Sequence, residues 1–346
     1  MTLITDQDLR SRYRADLAQG VARFLEPRRP DCPWCGSHAL EVRLTSPDLV
    51  QAKPGRFVLE RCRDCGHVFQ NPRLNEAGLD FYYRDFYDGL GAEAVERGFG
   101  MARRSYRRRA EMLRGHAVPR TWLDVGTGYG HFCRTAKEVW PRTRFTGLDR
   151  GESVMKARRR GWIGEAHRGS FPELVPDLAG RHDVVSMHHY LEHTTEPLRE
   201  LDAAASVLDR GGHLLIELPD PECVFGRLLG RYWIPWFQPQ HLHLIPFGNL
   251  ERALAERGFS VVAVERRRAD IGHDFAFAAW AALNRFGPRP SRPWKVGPPT
   301  AVDRARRVAA LGLAGPALLS GLLLDATLRP LLPRHSNTYR VLALRT

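Results

Sequence analysis

The chain has 346 residues, 43% of them hydrophobic, with 52 basic against 39 acidic side chains and a formal charge of +13. That length accommodates a large core plus one or two small modules, and the composition is that of a folded chain, not a disordered or collagen-like one. Arginine supplies nearly all the excess charge, since Lys53, Lys137, Lys156 and Lys295 are the only lysines.

The amino terminus carries Asp6, Asp8 and Arg10 before any apolar run, unlike a secretory signal. Residues 1–28 predict one exposed amphipathic helix, with Leu9, Tyr13, Leu17, Val21 and Phe24 at helical spacing. A compact cysteine module follows from Asp31 to Arg73, with β-type runs at Leu40–Leu44 and Phe57–Leu59. Residues 74–118 read as helices rich in aromatics (Phe81, Tyr82, Tyr83, Phe86, Tyr87) that lead into a basic stretch. Strand-like runs at 121–125, 144–149, 182–187, 212–218 and 259–265 then alternate with helical segments at 130–139, 152–160, 196–208 and 247–257. Such alternation predicts an α/β fold with a doubly wound, mostly parallel sheet. Tyr339–Leu344 forms a last strand, and no internal repeat is present.

Between the final two strands, 267–336 hold an apolar helix candidate (Phe275 to Phe286), a proline-rich linker (287–299) and the longest apolar run, Val308–Leu324. That run is interrupted by Gly315-Pro316 and falls short of the roughly 20 residues of a bilayer span. A buried helical hairpin is expected there. Arginine clusters at Arg103-Arg104, Arg107–Arg109, Arg158–Arg160, Arg266–Arg268, and Arg304 with Arg306-Arg307 read first as solvated helix faces. Phosphates, nucleic acid or an anionic membrane are the alternatives.

Two knuckles, Cys32-Pro33-Trp34-Cys35-Gly36 and Cys62-Arg63-Asp64-Cys65-Gly66, supply four thiolates, the set a closed tetrahedral zinc site requires. Four protein ligands leave no open position, so the zinc is expected to be structural. Close pairing of these cysteines suits a reducing cytoplasm better than a disulfide framework. Cys133 and Cys223 read as small buried side chains.

The run Trp122-Leu123-Asp124-Val125-Gly126-Thr127-Gly128-Tyr129-Gly130-His131 is an apolar strand ending in a carboxylate, then a glycine turn, then a helix start. Alternating glycines leave the backbone open to a ligand. His131 stands where the dinucleotide pattern needs glycine, which argues against NAD and towards another adenosine ligand. Asp149 closes the next strand at the interval from which an acid reaches a ribose. His182 to His193 then gathers titratable groups at a strand's carboxyl end, and Trp233, Trp236 and Phe237 lead to Pro239-Gln240-His241-Leu242-His243.

The order Leu-Asp-Val-Gly-Thr-Gly-Tyr-Gly, Gly-Leu-Asp, Leu-Glu-His-Thr-Thr-Glu-Pro, Leu-Asp-Arg-Gly-Gly and Gly258-Phe259-Ser260 resembles class I S-adenosylmethionine-dependent methyltransferases. It is most similar to the bacterial branch with an N-terminal C-x-x-C-G segment, here ending His67-Val68-Phe69-Gln70-Asn71-Pro72. The resemblance covers roughly residues 30 to 265 plus the last strand. It implies a seven-stranded Rossmann-like sheet, a small zinc ribbon and a helical C-terminal insertion. The implied domains are a helix (1–30), the ribbon (31–73), a helical connector (74–118), the core (119–266 plus 337–346) and an insertion or lid (267–336).

The resemblance further implies that Asp124, Gly126, Thr127, Gly128 and Gly130 hold the methionine end of S-adenosylmethionine and Asp149 the ribose. Ser170 and Phe171 would lie near adenine, and His188 with His189 would border the methyl group. Gly169 to Phe171 departs from the acidic residue often found there, and Gln240 from a basic one. His193, His241 and His243 are the candidate general bases, because histidine titrates near neutrality. A small hydroxylated or sugar acceptor heads the readings. A lipid-linked substrate at a membrane surface, suggested by Trp233, Trp236, Phe237 and the apolar run, comes second. RNA ranks last, Tyr106 being a lone aromatic among Arg103–Arg109. A non-catalytic protein that keeps the cofactor fold is the alternative of a different class. The location expected is cytoplasmic, with a peripheral place at the inner membrane surface if the lipid reading holds.

Overall fold

The computed structural model describes residues 6–84, 102–266, 272–295 and 297–346. In chain order the elements are α1 (Asp6–Leu17), β1 (Leu40–Ser46), β2 (Phe57–Cys62), β3 (Val68–Gln70), α2 (Glu76–Tyr83), α3 (Arg103–Glu111) and β4 (Thr121–Val125). There follow α4 (His131–Val139), β5 (Arg144–Asp149), α5 (Ser153–Arg159), β6 (Glu165–Arg168), α6 (Phe171–Leu178), β7 (His182–His188), α7 (Pro197–Val207) and β8 (Leu208–Pro219). The chain closes with α8 (Phe225–Leu228), β9 (His243–Leu244), α9 (Phe247–Glu256), β10 (Phe259–Glu265), α10 (Asp274–Phe286), α11 (Ala301–Thr327) and β11 (Thr338–Arg345). Phe86, Tyr87, Arg267 and Arg268 lie outside the described residues.

Two compact units result. The sheet unit comprises Tyr87–Asp220, Ile245–Asp270 and Thr338–Thr346. Its seven strands run β10-β11-β8-β7-β4-β5-β6, with β11 antiparallel to both neighbours and the rest of the pairings parallel. The chain winds outward from β4 in one direction through β5 and β6, and in the other through β7 and β8. This reversal makes a topological switch point of the carboxyl ends of β4 and β7, the place where open α/β sheets bind ligands. The expected mostly parallel, doubly wound sheet is therefore observed. Its core packs Trp122 and Phe145 face to face (ring centroids 5.6 Å apart) beneath Phe132, Val154 and Ile163.

The cysteine unit comprises Met1–Phe86, Pro221–Leu244 and Ile271–Asn337. It carries a four-stranded antiparallel sheet, β1-β2-β3-β9. Residues 221–244, expected to continue the core, instead supply the last strand of this sheet. They also supply Trp233 and Trp236, which pack edge-to-face at 4.9 Å in its interior. Both tryptophans are buried, so neither is available to a membrane. The N-terminal helix is shorter than expected, because Gly20 adopts φ +76° and ends the helical run after Leu17. It is also not exposed all round: Tyr13 and Phe24 are buried against Phe81.

The expected buried hairpin is corrected on two counts: the run forms a single arm, paired with α10, and its outer face is exposed, with Val308 and Leu319 each 70% accessible. Val308–Leu324 does not fold back at Gly315-Pro316; it lies within one 27-residue helix, α11, opened by a Thr300–Asp303 capping box. Proline removes one intrahelical bond, a loss offset by packing along a stripe that includes Ala310, Gly321 and Asp325. That stripe meets α10 antiparallel: a Cβ on Gly321 would lie 2.5 Å from Ala276 Cα, and one on Gly287 would lie 2.3 Å from the Arg306 carbonyl oxygen. The Asp325 carboxylate accepts the amides of Phe275 and Ala276 at 3.1 Å each, capping α10 from its partner helix.

Gly321→Ala should therefore force the helices apart and lower the unfolding midpoint. Gly312→Ala, with nothing within 4 Å of the added carbon, should raise stability by up to about 1 kcal/mol. Denaturant titration of the two variants checks both signs.

Candidate cofactor crevice and cysteine cluster

The turn after β4 is built from glycine because the backbone demands it. Gly126, Gly128 and Gly130 have φ of +78°, +54° and +81°, a region that side chains disfavour. A Cβ at Gly126 would also sit 2.8 Å from the Tyr190 ring, and one at Gly130 2.7 Å from Ala157 Cβ. At Gly128 no such neighbour exists within 4 Å, so there φ alone selects glycine.

Three groups hold the turn. The amides of Gly126 and Thr127 donate to the Leu148 carbonyl on β5 at 2.8 and 3.1 Å. The Thr127 hydroxyl donates to the Asp124 carbonyl and accepts from Leu148 N–H at 3.1 Å, stitching β4 to β5. Asp149 accepts from Gly128 N–H at 2.9 Å and from Gly151 N–H at 2.7 Å. Burial raises the pKa of Asp149, an effect its two amide donors oppose.

Asp124 is buried at the end of β4. It accepts from the Ser186 hydroxyl at 2.6 Å and from the Cys133 thiol at 3.6 Å, and Ser186 in turn accepts from the Trp122 indole at 2.8 Å. Burial pushes Asp124 up to about 6 despite these donors. Ser170 precedes α6, and the Gly169 amide bonds the Asp149 carbonyl at 3.1 Å, so this segment runs beside the strand end. Phe171 is fully buried.

His188 ends β7, the strand paired with β4. Neither ring nitrogen has a hydrogen-bond partner among the described residues, and Phe132 contacts the ring edge-to-face at 4.5 Å. Burial and then the Arg109 charge hold its pKa well below the ordinary histidine value, so the ring is neutral.

Residues 99–264 match the family described as Methyltransferase domain. This stretch, just under half of the chain, is similar to methyltransferase domains. The ubiquinone biosynthesis O-methyltransferase of Marinobacter nauticus is 28% identical over 138 residues, 37% of this chain. The chain spans about half the length of that curated relative, 54%. Among solved structures, an O-methyltransferase family protein of Burkholderia thailandensis has a TM-score of 0.44 at 18% identity, covering 53% of this chain and 58% of its own. A SAM-dependent methyltransferase of Archaeoglobus fulgidus has a TM-score of 0.45 at 18% identity, covering 71% and 94%.

The sheet unit also holds a buried ionic cluster that no motif announces. Glu217 on β8 receives Arg109 through two bonds of 3.1 and 2.7 Å, His189 Nε2 at 3.0 Å, and Arg340 Nε. His189 Nδ1 reaches Glu192 at 3.0 Å, and Arg340 continues to Glu265 at 3.0 Å. Burial alone would raise Glu217; Arg109, Arg340 and His189 outweigh it and hold the carboxyl well below its usual range. His189 has φ +50°, a conformation secured by the two carboxylates on its ring. The available signal was a charge inside an apolar run: Glu217 in Leu214–Leu218 and Arg340 in Tyr339–Leu344.

Of the basic stretch, Arg103 pairs with Glu138 at 2.7 Å, Arg107 with Glu111 at 3.1 Å, and Arg109 with Glu217. Tyr106 is buried with the Arg109 guanidinium over its ring, so the one aromatic the RNA reading relied on is not exposed for stacking. His193 lies in the short 3-10 turn Leu191–His193 that follows β7.

In the cysteine unit, the sulfurs of Cys32, Cys35, Cys62 and Cys65 all lie within 4.8 Å of one another. Two of the spacings are 3.7 Å (Cys32–Cys65) and 3.6 Å (Cys35–Cys62). A tetrahedron with 2.3 Å metal–sulfur bonds has edges of about 3.8 Å, so the set fits zinc. The knuckles are twins: Gly36 N–H bonds the Cys32 carbonyl and Gly66 N–H the Cys62 carbonyl, both at 2.9 Å, with φ of +74° and +75°. His243, on β9, meets His67 Nε2 at 3.0 Å through Nδ1 and is buried. His241 bonds the Pro235 carbonyl at 2.8 Å. These two candidate bases thus belong to the cysteine unit, and His193 to the sheet unit. Cys133 and Cys223 are both buried, as expected.

Glu217→Ala leaves two buried guanidinium groups without their shared anion and should cost about 3–5 kcal/mol. Equilibrium unfolding in denaturant measures it; a change below about 1 kcal/mol would show that the arginines find other partners.

Proposed function

We propose that this chain transfers a methyl group from S-adenosylmethionine to a small-molecule acceptor, at a hydroxyl oxygen or a carbon. The observation that carries the reading is the positive-φ glycine turn bonded to Asp149, inside the stretch that matches the methyltransferase family. The Marinobacter relative is named for O-methylation, which favours a hydroxyl acceptor.

When bound, the cofactor supplies a methyl group on a sulfonium cation. Asp149 spends two acceptor positions on Gly128 and Gly151, and a carboxylate has about four; two remain for the ribose hydroxyls. Ser170 and Phe171, beside that strand end, border adenine. Gly126, Thr127, Gly128 and Gly130 keep the backbone open for the methionine end, with Asp124 as the acid beneath. His188 is neutral and brings no positive charge to the neighbourhood of a cation. His193 is the general base for a hydroxyl acceptor, since it follows β7 in the same unit as the turn. Alignment of the two reactants supplies on the order of 7–11 kcal/mol, and the base about 10²–10⁴-fold. Cys32, Cys35, Cys62 and Cys65 would hold a structural zinc with no open position, which would fix the ribbon and leave the transfer to the other unit.

Thermal shift tests the reading. At a concentration 100 times its Kd, S-adenosylmethionine or its demethylated product should stabilise the chain by about 2.7 kcal/mol, and NAD should not. Asp149→Ala should abolish the shift while metal content stays unchanged; a variant that still responds fully would remove the ribose role. Cys62→Ser should lose the metal by elemental analysis, and stoichiometric zinc in that variant would take Cys62 out of the ligand set.

Asp124 adds a pH signature. Its pKa of about 6 lies above the ordinary carboxyl value, so its ionisation costs stability as pH rises through 6. A cationic ligand prefers the ionised form, so cofactor affinity should rise about tenfold between roughly pH 5 and pH 7. Calorimetric titration at the two pH values reads this, and a flat profile would take Asp124 out of the binding charge.

A further inference from the structure

We propose that the α10–α11 hairpin is a docking surface for an anionic lipid bilayer, lying flat in its interface. The inference is independent of the methyl-transfer reading. Among the described residues, one helix is long and apolar enough to cross a membrane, and it contains α11. Buried core helices pass the same test, but α11 is largely exposed: Val308 is 70% accessible, Leu319 70% and Leu323 63%. At 100° per residue these three lie within about 60° of one another, on the side opposite the stripe that meets α10. A water-facing side is normally polar. Here no charged residue occurs from Val308 to Leu324, and apolar patches of this extent on folded chains mark interaction sites.

The anchoring of the hairpin decides its orientation. At one end, Asp274 accepts from the Trp233 indole at 2.9 Å and lies 3.6 Å from Arg329, which follows α11. At the other, Asn284 donates to the carbonyls of Leu49 and Val50 at 2.7 and 2.9 Å, and the Trp294 indole to that of Ala52 at 3.1 Å. Both ends are thus tied to the same unit, so α11 presents a flank instead of a tip and cannot span. Charge selects the surface. Arg285, Arg289, Arg304 and Arg306 are exposed around one end of the hairpin, whereas Asp303 there is engaged by Lys295 and Thr300. An exposed apolar flank with exposed guanidinium groups at one end of it matches acyl chains beneath anionic headgroups.

The test is flotation of the full chain with vesicles of equal parts phosphatidylglycerol and phosphatidylcholine, and with phosphatidylcholine alone. Wild type should float with the anionic vesicles, less so at high salt. Leu319→Glu combined with Leu323→Glu should weaken that binding about tenfold or more, with metal content and the S-adenosylmethionine thermal shift retained as proof of folding. Wild type that stays with the soluble fraction in both mixtures would overturn the proposal, as would a double variant that floats unchanged. Concentration-dependent dimers by light scattering that the double variant abolishes, without vesicle binding, would assign the face to a second copy and overturn it as well.

Discussion

The tie between the β4 turn and β5 is the constraint on which the crevice depends. A strand that ends in a bare glycine turn has no packing of its own to hold its shape. Here the shape comes from β5: the Leu148 carbonyl takes two turn amides, the Thr127 hydroxyl bonds both strands, and the Asp149 carboxylate takes the Gly128 amide. Asp149 fixes the bend, and under the proposed function its remaining lone pairs are the ones that meet the ribose hydroxyls. Preorganisation of this kind lowers the cost of ordering the site on binding.

A second device stiffens the other side of the same sheet. Glu217 gathers Arg109 from α3, Arg340 from β11 and His189 from the segment after β7. Buried ion pairs seldom add net stability over apolar packing, yet breaking one is costly. The cluster therefore specifies: it fixes how three segments meet near the end of β7 and sets His189 in its left-handed conformation. The arginines also help keep His188 neutral, so the cluster's electrostatics reach the strand end proposed for methyl transfer.

Much of the sheet was legible because its strands are buried on both faces and read as apolar runs. Thr121–Val125 and Arg144–Asp149 match the expected strands, and both cysteine knuckles carry their glycines where the turns need them. β6 was not legible: Glu165-Ala-His-Arg is an edge strand held by backbone pairing with β5, with no apolar alternation. α6 contains Pro176 in its interior, which argues against a helix locally; burial of Phe171 and Leu178 overrides it. β9 is two residues long and forms because β3 offers it an edge. Gly315-Pro316 looked like a break, but the packing of α11 on α10 outweighs one missing bond. In the crevice, the glycine turn and Asp149 announce themselves by spacing, whereas Glu217, Arg109 and Arg340 come together from more than 100 positions apart. Only the incongruity of a charge in an apolar strand hints at such a cluster.

The central claim is that the turn and Asp149 together grip an adenosyl ligand. A crystal structure of the chain soaked with S-adenosylhomocysteine tests it most directly. The account predicts ribose hydroxyls within hydrogen-bond distance of Asp149 and the homocysteine end over residues 126–130. Ligand bound elsewhere, or an empty crevice at saturating concentration, would contradict it.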